Sequence, residues 1–92
     1  MNSGRTIKLR FFAGVREQVG REEEIVVLPL EIKTMGQVRN WLVGRGGVWA
    51  ETFGSDSPLR VAYQHELCEL DTEIHDRTTE HEIAFFPPVT GG

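Results

Sequence analysis

A single cysteine, Cys68, in a chain of 92 residues has no intramolecular partner, which excludes a secreted scaffold held together by disulfides. A reducing, cytoplasmic setting is expected. The longest apolar runs, such as Ile25-Val26-Val27-Leu28, fall far below the roughly 18 residues that a membrane span needs. The opening Met1-Asn2-Ser3-Gly4 lacks an apolar export segment, so neither a leader nor a membrane partner is expected. Basic character is also scarce. Ten Lys and Arg stand against fourteen Asp and Glu, a net charge of −4, and no basic stripe emerges, which argues against nucleic acid.

What is present suits one small domain. The chain is 39% hydrophobic and 26% charged, with its apolar residues spread along the whole length, so it has the means to fold. A domain of this size buries only about 60 to 65% of the surface its unfolded chain exposes, leaving little room for a deep catalytic cavity. A carrier or binding module is therefore favoured over a self-contained enzyme. The charge is uneven: residues 64–92 carry seven acids and one base, whereas residues 1–63 carry nine bases and seven acids. A partner presenting Lys or Arg to the C-terminal half fits that asymmetry.

Ile7, Leu9 and Phe11 alternate with Lys8 and Arg10 at the period of a half-buried strand. A second strand is expected over Glu24–Leu28, with Pro29 ending its ladder pairing and Ala13–Val19 as the hairpin connection. Thr34-Met35-Gly36-Gln37 has the spacing of a capping box and predicts one amphipathic helix of about three turns. In it Met35, Val38 and Leu42 face inward, with Trp41 a further candidate for that side, Gln37, Arg39 and Asn40 face away, and Gly44, Gly46 and Gly47 end the segment. Val48–Phe53 reads as a short second helix. Leu59–Tyr63 and Glu66–Leu70 read as strands, followed by a polar connection from Asp71 in which Ile74 is the clearly apolar residue, and then by the last strand, Glu82–Phe86. This order implies an α+β fold, a mixed sheet with its main helix across the concave face. That arrangement is a β-grasp, with Ile7, Leu9, Phe11, Ile25, Val27, Val38 and Leu42 as its expected core. The expected division is a domain over 1–86 and an extended tail over 87–92.

The tail carries the candidate chemistry. Pro87 and Pro88 remove two amide donors and fix φ near −65°, so Pro87-Pro88-Val89-Thr90-Gly91-Gly92 is expected to project from the sheet. Glycines at Gly91 and Gly92 let backbone thread a channel too narrow for any side chain, and the reactive group is then the Gly92 carboxylate. A carboxylate is a poor electrophile until ATP converts it to an acyl adenylate, which a persulfide or thiolate can attack with AMP as leaving group. Chain ends fray as a rule, so a Gly-Gly end alone is more often passive. Its place directly after a proline-terminated strand of a β-grasp pattern makes it the leading candidate.

Leu9-Arg10-Phe11-Phe12-Ala13, Val15-Arg16-Glu17 and above all Glu82-Ile83-Ala84-Phe85-Phe86-Pro87-Pro88-Val89-Thr90-Gly91-Gly92 resemble the molybdopterin synthase small-subunit family, the MoaD and ThiS-like sulfur carriers. The resemblance implies a ubiquitin-like fold and a terminal glycine adenylated by an E1-like adenylyltransferase at the expense of ATP, the carrier itself binding no cofactor. It further implies conversion to a thiocarboxylate by a sulfur donor protein. Sulfur is then delivered to cyclic pyranopterin monophosphate inside the large subunit, in a heterotetramer that is catalytic only as a complex.

A docking face follows from strand alternation alone. If Ile7, Leu9 and Phe11 point inward, Phe12 lies on the opposite face, and if Ile83 and Phe85 point inward, so does Phe86. With the first and last strands adjacent, Phe12 and Phe86 form an apolar patch at the root of the tail, expected to dock the activating enzyme and the large subunit together with Pro87, Pro88, Val89 and Thr90. Other signals are weaker. Cys68 reads as a half-buried strand residue, His65, His75 and His81 as surface residues without zinc-ligand spacing, and Glu22-Glu23-Glu24 as a solvated strand edge. Gly44-Arg45-Gly46-Gly47 lacks the Lys and Ser or Thr of a phosphate loop, and Trp41 and Trp49 suit the core or a partner contact. Two rival functions share the same activation chemistry: a sulfur carrier for thiamin thiazole formation, and a protein modifier joined through Gly92 to lysines.

Overall fold

The alternation around Ile7, Leu9 and Phe11 forms strand β1, Gly4–Phe11, in the computed structural model, which describes residues 4–88. β1 pairs antiparallel with β2, Glu23–Pro29, and parallel with the last strand. Between β1 and β2 the chain forms helix α1, Ala13–Val19, rather than a plain connection. Val15 and Val19, four residues apart, are buried on one side of it, and Gly20 closes it in the left-handed conformation at φ 75° with its N–H donating to the Arg16 carbonyl. That i, i+4 pair followed by Gly is the sequence signal for this helix.

Helix α2, Met35–Val43, begins where the capping box puts it. The Gln37 amide donates to Thr34 Oγ1 at 3.1 Å, and the Thr34 amide donates back to Gln37 Oε1 at 3.1 Å. Met35, Val38 and Leu42 are fully buried, and Gly44 caps the end. Helix α3 follows over Gly47–Phe53. Strands β3, Arg60–Tyr63, and β4, Glu66–Cys68, form a hairpin whose turn, Gln64-His65, has φ 53° and 68°. Two left-handed residues match the twist of a tight hairpin, but Gln-His is not the Asn-Gly that normally announces one. Strand β5, His81–Phe86, lies between β1 and β3, giving the order β2-β1-β5-β3-β4 and the expected α+β β-grasp. The connection before β5 is strapped to the start of α2: Gly36 N–H donates to the Leu70 carbonyl, Met35 N–H to Thr72 and Ile74 N–H to Lys33. Ile74 is buried there, as its apolar character implied.

Further expectations change. Ile25 and Val27 are each 58% exposed, and Val26 and Leu28 fill the core instead. Both parities of Ile25-Val26-Val27-Leu28 are apolar, so the run alone does not fix the face. The register does, setting Val26 opposite Ile7 and Leu28 opposite Arg5, on the inward side of β1. Pro29 remains within β2, opposite Gly4, because its missing amide falls on the edge that faces no strand among the described residues. Arg39 is buried rather than turned away. It donates from Nε to the Phe53 carbonyl at 2.7 Å and from Nη2 to the carbonyls of Gly54 and Ser57, satisfying backbone acceptors at the end of α3. His81 is also buried, whereas His65 is exposed and His75 half-buried.

Candidate functional site

The root of the tail is built by the ends of two parallel strands. Phe11 opposes Phe85, and the pairing runs one step further, with the Phe12 amide donating to the Phe85 carbonyl at 3.2 Å. Phe11 and Phe85 are buried, and Phe53 packs edge-on against both rings at 6.1 and 5.2 Å. Trp49 completes this cluster, stacked on Phe53 at 5.8 Å, so α3 locks the inner side of the strand ends. Burying each ring contributes about 2 to 3 kcal/mol, which makes the platform stiff where the chain leaves it.

The next residue on each strand faces outward. Phe12 is 40% exposed and Phe86 half-buried on the face opposite the helices, as alternation implied. Arg10 lies beneath Phe12 with its guanidinium carbon 5.3 Å from the ring centroid, and Arg60 stands opposite Phe86 on β3. Glu82 is near Arg10 and His65, at 3.8 and 3.5 Å. Arg10 and Arg60 therefore flank the two rings, the charge of Arg10 being met by Glu82 and by Glu23, also at 3.8 Å.

Gln64 holds the start of β5. Its Oε1 accepts from the Glu82 amide at 2.8 Å, its Nε2 donates to the Glu80 carbonyl at 2.7 Å, and its own amide donates to the Glu82 carbonyl at 2.9 Å. This three-bond clasp fixes the line along which β5 runs to Phe86, and no motif around Gln64 announces it. Pro87 and Pro88 continue the chain beyond β5. The remaining candidate residues, Val89, Thr90, Gly91 and Gly92, lie outside the described residues.

Elsewhere Cys68 is half-buried with its thiol pushed up by desolvation, the opposite of what a reactive thiolate needs. Glu24 is an ion-pair anchor: Arg45 grips its two oxygens at 2.9 and 2.7 Å while Arg21 donates at 3.0 Å. Arg45 also lies over Trp41 and Trp49, so both Trp residues pack against the body, as expected of core residues. Among the described residues no helix is long and apolar enough to cross a membrane.

The sequence matches the ThiS family over residues 9–92. The chain belongs to that family. It is 37% identical to the molybdopterin synthase sulfur carrier subunit of Escherichia coli (strain K12) over 86 residues, covering 94% of this chain and 99% of that one. Its fold is similar to the crystal structure of SAMP1 from Haloferax volcanii, with a TM-score of 0.69, 26% identity and coverage of 95% and 99% of the two chains. A chain from the protein-protein complex of subunits 1 and 2 of molybdopterin-converting factor from Helicobacter pylori 26695 matches at a TM-score of 0.59 and 22% identity, covering 95% and 99%. At that identity the likeness is one of fold.

Proposed function

We propose that this ThiS-family chain is the sulfur-carrier subunit of a molybdopterin synthase. The observation that carries the reading is the near full-length similarity to a curated subunit of that name, joined to a β5 that ends in Phe86-Pro87-Pro88. In this reading the chain is not catalytic alone. Gly92 offers its carboxylate to an E1-like enzyme, which spends ATP to form the acyl adenylate and release pyrophosphate. The persulfide of a sulfur donor protein then attacks the acyl carbon and AMP departs; a second thiol cleaves the resulting acyl disulfide, leaving the thiocarboxylate on Gly92 and a disulfide on the donor.

The carrier's own part is positional. The parallel pairing of β1 and β5 sets the tail's point of departure, and Pro87 and Pro88 favour extended backbone beyond it. Gly91 and Gly92 offer no side chain to obstruct passage into a large subunit, while Phe12 and Phe86 seat the body against that subunit. There the sulfur passes to cyclic pyranopterin monophosphate. Two charged carriers serve each product, which suits a heterotetramer. ATP belongs to the activating enzyme, the carrier binds no cofactor, and a reduced Cys68 is at home in the cytoplasm.

Intact mass spectrometry of the chain, incubated with ATP, the activating enzyme and a sulfur donor, tests the charging step. A gain of about 16 Da, oxygen exchanged for sulfur, is expected. The charged chain mixed with a large subunit and the pterin precursor then yields a dithiolene product, and absence of that product from fully charged carrier overturns the reading. A second reading, as a protein modifier, is favoured by one observation: a Haloferax volcanii structure of this fold bears the name small archaeal modifier protein 1. Isopeptide-linked adducts on lysines of other proteins would mark that function.

A further inference from the structure

Strand β2 is an edge strand whose middle is bare. The Phe11 amide donates to the Glu22 carbonyl at 2.8 Å, which makes Phe11 and Glu22 a hydrogen-bonded pair of the antiparallel ladder. By the alternation of such pairs, Glu24, Val26 and Leu28 turn their backbone groups toward β1, and Glu23, Ile25, Val27 and Pro29 turn theirs away. β2 terminates the sheet, so the N–H and C=O groups of Ile25 and Val27 have no strand beside them among the described residues. Their side chains are each 58% exposed on the face that carries no helix.

Natural edge strands are blunted by charge or proline along the free rim. Here the blunting sits at the two ends, Glu22-Glu23-Glu24 and Pro29, and spares Ile25-Val26-Val27. We infer that a second copy of this chain pairs with β2, antiparallel across a two-fold axis through Val26, so that Ile25 of each copy bonds Val27 of the other and the two sheets become one of ten strands. An isologous contact requires a self-complementary patch, and this segment is one. In this register four backbone hydrogen bonds form, and Ile25 and Val27 of both copies join as a single apolar strip on the outer face.

Alternative registers fit worse. Shifting toward the N-terminus sets Glu23 against Val27, and shifting toward the C-terminus sets Ile25 against Pro29, which has no amide and whose carbonyl already accepts from Ile32. With Val26 central, the glutamates of one copy lie beside the Leu28 to Leu30 end of the other, so like charges do not meet. The tail roots stay open. Phe12 and Phe86 sit at the far end of β1 from Thr6, the residue opposite Val27, and the two-fold sends the two tails off opposite ends of the sheet.

Sedimentation equilibrium of the full chain tests this. Between about 5 µM and 1 mM the mass is expected to rise from 10.4 kDa to twice that value, with a dissociation constant on the order of 100 µM, as suits a small interface. Val27→Lys and Ile25→Glu, both at exposed outward positions, are each expected to weaken the dimer about tenfold or more while leaving the far-ultraviolet circular dichroism unchanged. Mixing those two variants is expected to restore a dimer, since the register sets the new Lys of one copy against the new Glu of the other. Leu67→Lys, at an equally exposed residue on β4, is expected to leave self-association unchanged. A monomer at 1 mM overturns the inference, as does a dimer that survives Val27→Lys or a mixture that fails to restore pairing.

Discussion

The Tyr63 hydroxyl and His81 Nδ1 lie 2.9 Å apart, with the two rings stacked 6.1 Å between centroids. The same hydroxyl accepts from the His75 amide at 3.3 Å and is 3.4 Å from the His75 carbonyl, so β3, β5 and the connection from β4 to β5 meet at one oxygen. Burial holds the His81 imidazole below its ordinary 6.5; Asp76 opposes that shift, and the nearby Arg5 and His75 reinforce it. A histidine lowered in the folded state is protonated first in the unfolded chain, so its contribution is present above 6.5 and is lost as pH falls from there through the lowered value. Urea titrations at pH 7.5 and 5.5 are expected to show the wild type weakening toward pH 5.5, and His81→Asn weakening less. Asp76 and Glu24, held below the usual carboxylate values by Arg5 and Arg45, give way in a separate and more acidic window.

Arg39 gives a sharper stability prediction. Its guanidinium serves the carbonyls of Phe53, Gly54 and Ser57, and burial lowers its pKa without threatening its charge. Arg39→Met keeps the stem and strips the donors, and is expected to cost about 2 to 3 kcal/mol, since charged hydrogen bonds count more than neutral ones and part of the loss is offset by no longer burying a charge. Arg39→Lys is expected to recover less than half, because a single ammonium does not fork to three carbonyls. Denaturant midpoints at pH 7 measure both.

The contrast between Thr34 and Arg39, five residues apart, shows which features were legible in the sequence. Thr34 acts locally: its partner Gln37 is three residues on, so the start of α2 is written in the spacing itself. Arg39 finds its acceptors fifteen or more residues away, for Gly54 and Ser57, and nothing near Arg39 announces them. The same division runs through the sheet. β1 and β5 alternate cleanly and were readable, whereas Ile25-Val26-Val27-Leu28 is apolar on both faces and took its orientation from pairing with β1. At the site, Phe12 and Phe86 followed from alternation plus strand adjacency. The Gln64 clasp did not, because two of its three bonds come from an amide side chain that reaches across to β5.

Extending the chain by one residue beyond Gly92 separates carrier chemistry from folding. The added residue is expected to leave the denaturant midpoint unchanged. It moves the free carboxylate onto a residue with a side chain and turns the Gly92 carbonyl into an amide. Thiocarboxylate formation is therefore expected to fall by about 100-fold or more, because a reacting group displaced by a few ångströms loses its alignment. Intact mass after incubation with ATP, activating enzyme and sulfur donor provides the readout. An extended chain that charges as fast as the original is incompatible with a reaction at Gly92.

Phe86 tests the docking face independently of the tail chemistry. Phe86 is half-buried at the end of β5, one residue beyond the Phe11–Phe85 pair and opposite Arg60, so Phe86→Ala removes little from the core and is expected to cost about 1 kcal/mol of stability or less. In a partner interface the same truncation is expected to cost about 2 kcal/mol, roughly thirtyfold in affinity for the large subunit, as for an aromatic anchor desolvated at the centre of a contact. Phe12→Ala should act on the same contact, and the double variant should lose less than the sum, because neighbouring rings share one pocket. Leu30→Ala, 45% exposed and near the opposite end of the sheet, serves as the control and is expected to bind as the wild type does. Calorimetric titration of all four chains measures this, and wild-type affinity for Phe86→Ala would move the docking surface elsewhere.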